Sequence, residues 1–209
     1  MATQENRSMV SETSICNQAL LWLGSKAITS LADDSKEARW MKNNYPFIRD
    51  ALMEERMWSF AMFRAESTVT DRDEWDSMYV HPMGQEWISV FRCYRSISEN
   101  RMQPDPSYRL EGRNVLSKYG TVYLWGVKRV SDTGIFSPMF VQALAARIAA
   151  DAAIPLTENR QLQVDMWGLY QDKLAAAAVR DGQQGANDEI TQQRLTGIRY
   201  SGGIMGEGY

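Results

Sequence analysis

The first quarter of the chain places its hydrophobic residues three and four positions apart, which is the spacing of a helix face. A first helix is predicted from about Ser14 to Leu23, with Ser11 or Thr13 as its N-cap and Gly24 as its stop. One face of this helix carries Ile15, Ala19, Leu20 and Leu23. A helix with one such face must pack it against another element.

A second helix is predicted after a short connector. Asp34 and Glu37, three residues apart, form a capping-box-like start. The apolar face of this helix carries Ala38, Met41, Tyr45, Ile48 and Leu52. Because proline lacks an N–H group, Pro46 predicts a kink or a break near Asn44.

The period changes at Ser59 from that of a helix to the alternation of strands. Short strands are predicted within residues 59–69, 77–82, 87–94, 107–112, 114–119 and 121–127. The stretch ISENRMQPDPS, residues 97–107, is polar, contains two prolines and is predicted to be a loop. This middle region is therefore predicted to form a mostly antiparallel sheet.

Helical character returns at Ser137, the predicted N-cap, with Pro138 at the first helical position. The run MFVQALAARIAADAAI that follows is apolar on nearly every side, which is typical of a helix packed on several sides. Arg147 and Asp151 are spaced to form an ion pair across one turn.

Pro155 is predicted to end this helix, and Thr157 to cap a last helix over about 158–180. One face of that helix carries Leu162, Met166, Leu169, Tyr170 and Leu174. From Gly182 the sequence is rich in glycine, which predicts an extended tail that is ordered only by a partner. The apolar residues of this predicted partner arm are Leu195, Ile198, Tyr200, Ile204 and Tyr209.

The elements together predict an α+β fold in which a four-helix-type bundle is interrupted by a β insertion. The predicted parts are an N-terminal arm 1–13, a bundle from 14–58 and 137–181, an insertion 59–136 and a flexible tail 182–209. The predicted bundle-packing residues are Leu20, Leu23, Met41, Tyr45, Ile48, Leu52, Phe140, Leu144, Ile148, Leu162, Met166 and Leu169. Trp58 and Phe60 are expected to fix the junction between bundle and insertion, with Phe63 next along the strand.

Composition narrows the function classes. The 209 residues carry a net charge of −3, which argues against nucleic-acid binding as the main activity. Cys16 and Cys93 lie far apart in apolar settings and are expected to be buried thiols. The N-terminus lacks a signal-peptide pattern and no apolar run approaches the ~20 residues of a membrane span, so a cytosolic site of folding and no membrane partner are expected.

Candidate chemistry is sparse. His81 is the single histidine, which leaves few catalytic dyads or zinc sites, and a structural role is favoured for it. The acidic loop, residues 71–76, is a candidate cation or enzymatic site, but it lacks the glycine and distal glutamate of an EF-hand loop, and a solvated turn explains it as well. No catalytic residue, metal ligand or cofactor is therefore predicted, and the protein is not expected to be an enzyme.

Basic and aromatic residues alternate on the predicted strands. Arg92 and Arg95 flank Tyr94, while Lys128 and Arg129 follow the aromatic run TVYLWG. Such interleaving can bind single-stranded nucleic acid by stacking, and this is retained as an alternative function. Charges that face solvent opposite a buried face are the favoured interpretation.

Motifs in both halves of the chain carry a resemblance to a known family. The first is the run LWLGSKAITSLADDSKEARWMKNNYPFIRDALMEERMWSFA. It is similar to the N-terminal half of the tail tubular protein A family of short-tailed phages, in which a helix ends at Leu-Gly and an I-x-S-L-x-D connector leads into a long helix that closes on Trp-[Ser/Thr/Asn]-Phe. The matching elements are Leu23–Gly24, then Ile28, Ser30, Leu31 and Asp33, then Trp58–Ser59–Phe60. The runs YRLEGRNVLS and RVSDTGIFSPMFVQALAARIAADAAIPLTENRQLQ resemble the family's return to its helical half, so the likeness covers about 15–182.

The resemblance implies a structural adaptor of the virion tail that is assembled in the host cytoplasm. Members form a homo-oligomeric ring, usually a dodecamer, between the portal protein and the tail nozzle, and in some phages they contact tail fibres. DNA passes through the lumen without sequence-specific binding, and an acid-leaning composition suits such a channel because cationic contacts would retain phosphates. Another capsid or tail connector component is the remaining alternative.

Overall fold

The computed structural model describes residues 10–97 and 101–185. In these ranges the chain forms four α-helices, two short 3₁₀ helices and seven strands in two antiparallel sheets, which confirms the predicted α+β class. The helices are α1 Glu12–Trp22, α2 Lys36–Glu55, α3 Pro138–Thr157 and α4 Arg160–Gly185, and the 3₁₀ helices are Ser59–Ala61 and Thr133–Ile135. The strands are β1 Met62–Thr68, β2 Tyr79–Pro82, β3 Trp87–Ile97, β4 Arg101–Pro104, β5 Arg109–Glu111, β6 Asn114–Ser117 and β7 Thr121–Lys128.

The boundaries of α1 and α2 are set by local side chains. Ser11 caps α1 in a full capping box, and Gly24 follows its end with φ +66°, so both predictions are confirmed. The predicted start of α2 is wrong by one residue. Ser35, not Asp34, is the N-cap, and its hydroxyl accepts a 3.0 Å hydrogen bond from the N–H of Ala38.

Pro46 does not break α2. The helix is continuous from Lys36 to Glu55, so the break expected near Asn44 is absent. The carbonyl that loses its partner belongs to Lys42, four residues earlier, and both Lys42 and Pro46 are exposed. Water can hydrate a carbonyl on that side of the helix, which lowers the cost of the proline.

The connection between α3 and α4 also differs from the prediction. Pro155 lies inside the last turn of α3, and the helix ends at Thr157 with Glu158 in the left-handed conformation. Asn159, rather than Thr157, accepts the capping bond, from the N–H of Leu162 at 3.0 Å. At the other end, α4 continues to Gly185, so the predicted tail loses its first four residues, 182–185, to the helix.

Helix α3 is the central helix of the fold and contacts α1, α2 and α4. Its predicted start is confirmed, because Ser137 caps it and Pro138 is its first residue. The predicted pair between Arg147 and Asp151 is also confirmed, at 3.2 Å. By length and composition α3 could span a membrane, but 61% of its most apolar window is buried within the protein, as in a core helix.

The strands of the insertion form two antiparallel sheets with the orders β1-β7-β3-β4 and β2-β6-β5. The sequence reasoning missed β4, which lies inside the predicted loop 97–107 and pairs with Tyr94–Ile97 of β3. Residues 59–61, predicted as strand, form a 3₁₀ helix instead. Strand β4 forms because its backbone pairs with β3, although its polar, proline-containing sequence has a low strand propensity.

The larger sheet has two different environments. The face carrying Phe63, Trp87, Cys93, Val122 and Leu124 packs toward Val115 of the smaller sheet and forms a second core. At one end of the opposite face, the side chains that pack against the helical core are Met62, Ile88, Phe91 and Val127. The remainder of that opposite face has no helix over it among the described residues.

Irregular pairing of β3 with β7 separates the side chains that face the two cores. The pairing of β3 with β7 shifts register between Trp87 and Ser89 and again between Val90 and Arg92. Gly126 lies at the second shift, where a Cβ would sit 2.0 Å from the carbonyl oxygen of Ser89. Glycine is therefore required for the close approach of the two strands.

Candidate functional site

Four aromatic side chains form the aromatic junction between helices and sheet: Trp58, Phe60, Phe136 and Phe140. The indole of Trp58 meets the ring of Phe140 edge to face at 5.0 Å. Phe60 packs on Phe140 at 4.8 Å and on Phe136 at 5.4 Å. These rings come from the 3₁₀ segment, from α3 and from the turn before α3, so they join both ends of the insertion.

Hydrogen bonds fix the junction in place. The indole Nε1 of Trp58 donates to the carbonyl oxygen of Leu52 at 2.8 Å, which ties the tryptophan to the end of α2. The hydroxyl of Ser59 donates to the carboxylate of Asp181 at 2.6 Å, and its N–H donates to the same group at 3.1 Å. The last turns of α4 are thereby anchored at the point where the β insertion starts.

Phe63 belongs to a different environment from Trp58 and Phe60. Its ring packs edge to face on Trp87 at 5.0 Å, within the core between the two sheets. The ammonium of Lys128 lies 4.6 Å from the centroid of the same ring. Phe63 therefore supports the sheet rather than the aromatic junction.

The structure places most of the predicted packing residues in the helical core. Fully or nearly fully buried are Leu20, Leu23, Met41, Tyr45, Ile48, Leu52, Phe140, Leu144 and Ile148. Leu162, Met166 and Leu169 on α4 are half-buried against the same core. The predicted arm residues Leu195, Ile198, Tyr200, Ile204 and Tyr209 lie outside the described residues.

His81 is buried in the β insertion and hydrogen-bonded at both ring nitrogens. Its Nε2 lies 2.9 Å from the carbonyl oxygen of Tyr119, which can only accept, so Nε2 carries the proton. Its Nδ1 then accepts from the hydroxyl of Ser67 at 3.0 Å. Burial lowers the pKa of His81, and the bond to Tyr119 opposes that effect only in part. A neutral, fully bonded imidazole serves here as a structural link between strands.

Asp105 and the two thiols are likewise structural. Burial alone would raise the pKa of Asp105, but hydrogen bonds from Ser107 and Ser117 hold it below its usual value. Burial raises the pKa of both Cys16 and Cys93 to about 12, so neither is a thiolate at neutral pH. Among the described residues, no three or more His, Cys, Asp or Glu side chains form a group that could hold a metal ion.

The acidic loop is folded around its own carboxylates. The side chain of Asp73 accepts from the N–H groups of Trp75 and Asp76, each at 3.2 Å. Asp76 pairs with Arg109 of β5, and Arg72 stacks on the ring of Tyr79 at 4.2 Å. These bonds give the carboxylates of Asp73 and Asp76 structural partners, and the loop they form leaves Trp75 94% exposed.

The uncovered part of the larger sheet forms the sheet groove, with a volume of about 360 Å³. The side chains that define it are Arg64, Glu66, Tyr94, Met102, Tyr123 and Trp125. Strand pairing brings these side chains together, because Arg64 lies opposite Trp125, Glu66 opposite Tyr123 and Tyr94 opposite Tyr123 on the other side. The groove is therefore an aromatic floor with charged side chains at its edge.

Most basic residues near the aromatics make contacts within the chain. The guanidinium groups of Arg64 and Arg92 lie 4.6 Å and 5.2 Å from the ring of Trp125. Arg95 donates to Tyr119 and Gln103, and Arg129 pairs with Asp50 at 2.6 Å. The basic and aromatic interleaving of the sequence is thus largely used for packing inside one chain.

The sequence reasoning singled out Trp58 and Phe60 but missed Trp75 and the sheet groove. The alternation of Tyr123 and Trp125 with Val122 and Leu124 is the signal for the groove, since it places two aromatics on one face of β7 and aliphatic residues on the other. Which face stays uncovered depends on how the helices pack, and the sequence alone does not give that. No protein-family model matches the chain, and no curated protein matches it either.

Proposed function

We propose that this chain is a structural subunit of a phage head-to-tail adaptor ring. In this proposal the four helices form a four-helix-type bundle in the ring wall, which meets the portal protein, and the β insertion faces the tail nozzle or tail fibres. The ring has about twelve copies, as in the family the sequence resembles, and DNA passes through its lumen. The role is structural, located in the virion tail, and uses no catalytic residue or cofactor.

The observation that carries this proposal is that the residues of the resemblance motifs each hold a defined structural position. In the connector, the carboxylate of Asp33 accepts from the N–H groups of Thr29 and Ser30 at 2.7 and 3.1 Å. The side-chain amide of Asn17 bonds both the N–H and the carbonyl of Ile28, each at 2.8 Å. The I-x-S-L-x-D pattern therefore corresponds to a folded turn that sets the angle between α1 and α2.

The Trp-Ser-Phe pattern is accounted for in the same way. Trp58 is buried on α3, Ser59 bonds Asp181 on α4, and Phe60 packs between Phe136 and Phe140. Trp58 and Phe60 both contact Phe140 on α3, and Ser59 reaches α4. Motifs whose every residue has a packing role are what a scaffold subunit needs, and they support the structural proposal over a catalytic one.

Surface composition supports an assembled state. Large apolar side chains at least half exposed occur on helices, on strand β4 and in loops: Leu21, Phe47, Met57, Trp75, Met102, Ile135, Val164 and Val179. A ring closes through heterologous contacts, so each subunit needs two different surfaces that become buried. Apolar residues on separate faces of one subunit meet that requirement.

The alternative function, single-stranded nucleic-acid binding, has weaker support. It requires aromatic faces that are open to bases. Trp125 has Arg64 and Arg92 over its ring, and Lys128 lies over Phe63. Binding of the free subunit to a labelled oligonucleotide, weakening steeply as salt rises, would favour this alternative.

Electron microscopy of the purified protein, alone and mixed with the portal protein of the same phage, tests the proposal. We expect ring-shaped particles that dock coaxially on the portal. Mass photometry of the same samples gives the number of copies in each ring. A chain that stays monomeric with and without portal, and does not bind it, would overturn the proposal.

A further inference from the structure

Trp75 is presented to solvent by a loop that is already ordered. Besides the two bonds to the carboxylate of Asp73, the N–H of Asp73 donates to the carbonyl of Met78 at 2.8 Å. Met78 is buried, so the base of the loop is anchored in the insertion. An ordered loop loses little conformational entropy on binding, and tryptophan is among the side chains enriched at the energetically dominant centre of protein contacts.

The sheet groove has the complementary shape and charge. Its volume of about 360 Å³ lies within the range of pockets that enclose a ligand-sized group, and Tyr94, Tyr123 and Met102 give it an apolar floor. Arg64, Arg92 and Glu66 are exposed at its edge, which leaves that edge with one more positive than negative charge, whereas the acidic loop carries four carboxylates and one arginine. An acidic loop with an apolar tip matches an apolar groove with a basic edge.

Trp75 does not fill the groove of its own chain, because its side chain is 94% exposed. The exposed Trp75 of the acidic loop and the sheet groove are therefore two different surfaces of one molecule. This arrangement generates a heterologous, ring-forming contact. We propose that the acidic loop of one subunit inserts Trp75 into the sheet groove of a second copy of this chain. The proposal rests on the adaptor-ring function and assigns one of the subunit contacts that such a ring needs.

The first measurement compares the assembly of wild type, Trp75→Ala and Trp75→Phe by sedimentation velocity. Loss of a central tryptophan is expected to weaken the contact roughly 30-fold or more, and Trp75→Phe to retain much of it. Arg64→Glu should weaken assembly from the groove side by placing like charges against the acidic loop.

Cross-linking identifies the two surfaces directly. Glu74→Cys and Met102→Cys are prepared as separate variants, mixed, and treated with a short bis-maleimide. We expect a cross-linked dimer in the mixture and none from either variant alone, because the two native thiols are buried. Gln161→Cys, on the exposed side of α4, replaces Met102→Cys as the matched control and should give no product.

The outcomes separate this contact from the ring proposal itself. Rings that form normally from Trp75→Ala, or that give no cross-link between positions 74 and 102, overturn the contact and leave the ring. Normal rings that instead lose a nozzle protein or an oligonucleotide on mutation of the groove assign the groove to that partner and overturn the second-copy occupant. A wild-type chain that never assembles, with portal present, overturns both.

Discussion

Trp58 combines full burial with a hydrogen bond, so at the scale of single residues it has the largest expected effect. Its side chain is 0% exposed, and its Nε1 bonds the carbonyl of Leu52 at 2.8 Å. Trp58→Ala should lower the free energy of unfolding by ~3–5 kcal/mol, through the cavity and the unpaired carbonyl. Trp58→Phe should cost less, because the ring contact with Phe140 is partly kept. Urea unfolding followed by circular dichroism measures both.

Trp75→Ala is the matched control, since the same substitution removes a side chain that is 94% exposed. Measured at a protein concentration at which the subunit is monomeric, its free energy of unfolding should stay within about 0.5 kcal/mol of wild type. Equal losses of stability at the two positions would contradict the assignment of Trp58 to the core and Trp75 to the surface.

The lowered pKa of His81 leads us to expect that stability depends on pH. Its folded-state pKa lies below the ordinary value of 6.5, so as pH falls through that value the unfolded chain binds a proton that the folded chain does not. The free energy of unfolding should therefore decrease from pH 7 to pH 5. His81→Gln should flatten the curve in this window, whatever its effect on stability at pH 7.

Asp105 titrates in a separate window and serves as an internal reference. Its pKa lies below the ordinary 3.8, so its contribution is complete above that value and is lost only as pH falls through the lower, folded-state pKa. Denaturant titrations from pH 3 to pH 8 resolve the two groups. A slope between pH 5 and pH 7 that is unchanged in His81→Gln would rule out His81 as its source.

At the scale of elements, the end of α4 depends on a bond to a residue 122 positions away. The carboxylate of Asp181 accepts from both the N–H and the hydroxyl of Ser59. Asp181→Ala should lower the free energy of unfolding by about 1 kcal/mol, since the site is exposed, and should speed amide hydrogen exchange in the last turns of α4. Asp172→Ala, exposed on the same helix, is the control and should leave both unchanged.

The elements also show which features of the fold can be predicted from the sequence. Caps at Ser11 and Ser137 were predictable because they depend on neighbouring residues. Strand β4 was not, because its polar, proline-containing sequence becomes a strand only by pairing with β3. The prediction that Pro155 ends α3 was wrong by two residues, because the proline lies in the last turn and the helix continues to Thr157. Of the aromatic junction, Trp58 and Phe60 were predicted from the sequence and Phe140 only as a bundle residue, whereas Phe136 was not predicted and Phe63 lies in the other core. The groove arises from register and from where the helices stop covering the sheet.

At the scale of the whole molecule, the two cores are joined by the larger sheet. One face of that sheet packs on the smaller sheet, and the end nearest the helices presents Met62, Ile88, Phe91 and Val127 to the helical core. The β insertion therefore cannot bury its own apolar surface without the helices. We therefore expect the insertion and the helices to fold as one unit, although a long stretch of sequence separates the two helical halves.

This sharing of one core predicts that helices and sheets unfold together. In a variant in which Trp22, Trp40, Trp58 and Trp167 are replaced by Phe, the remaining tryptophans, Trp75, Trp87 and Trp125, all lie in the insertion. Thermal unfolding of this variant followed at 222 nm, which reports mainly on the helices, and by tryptophan fluorescence, which then reports on the insertion, should give the same midpoint. Val127→Ala should lower both midpoints equally, because its side chain is buried where sheet meets helices. Val179→Ala on the exposed side of α4 should move neither. Two separate transitions, with only the helical one sensitive to Val127→Ala, would show that the insertion folds independently of the helices.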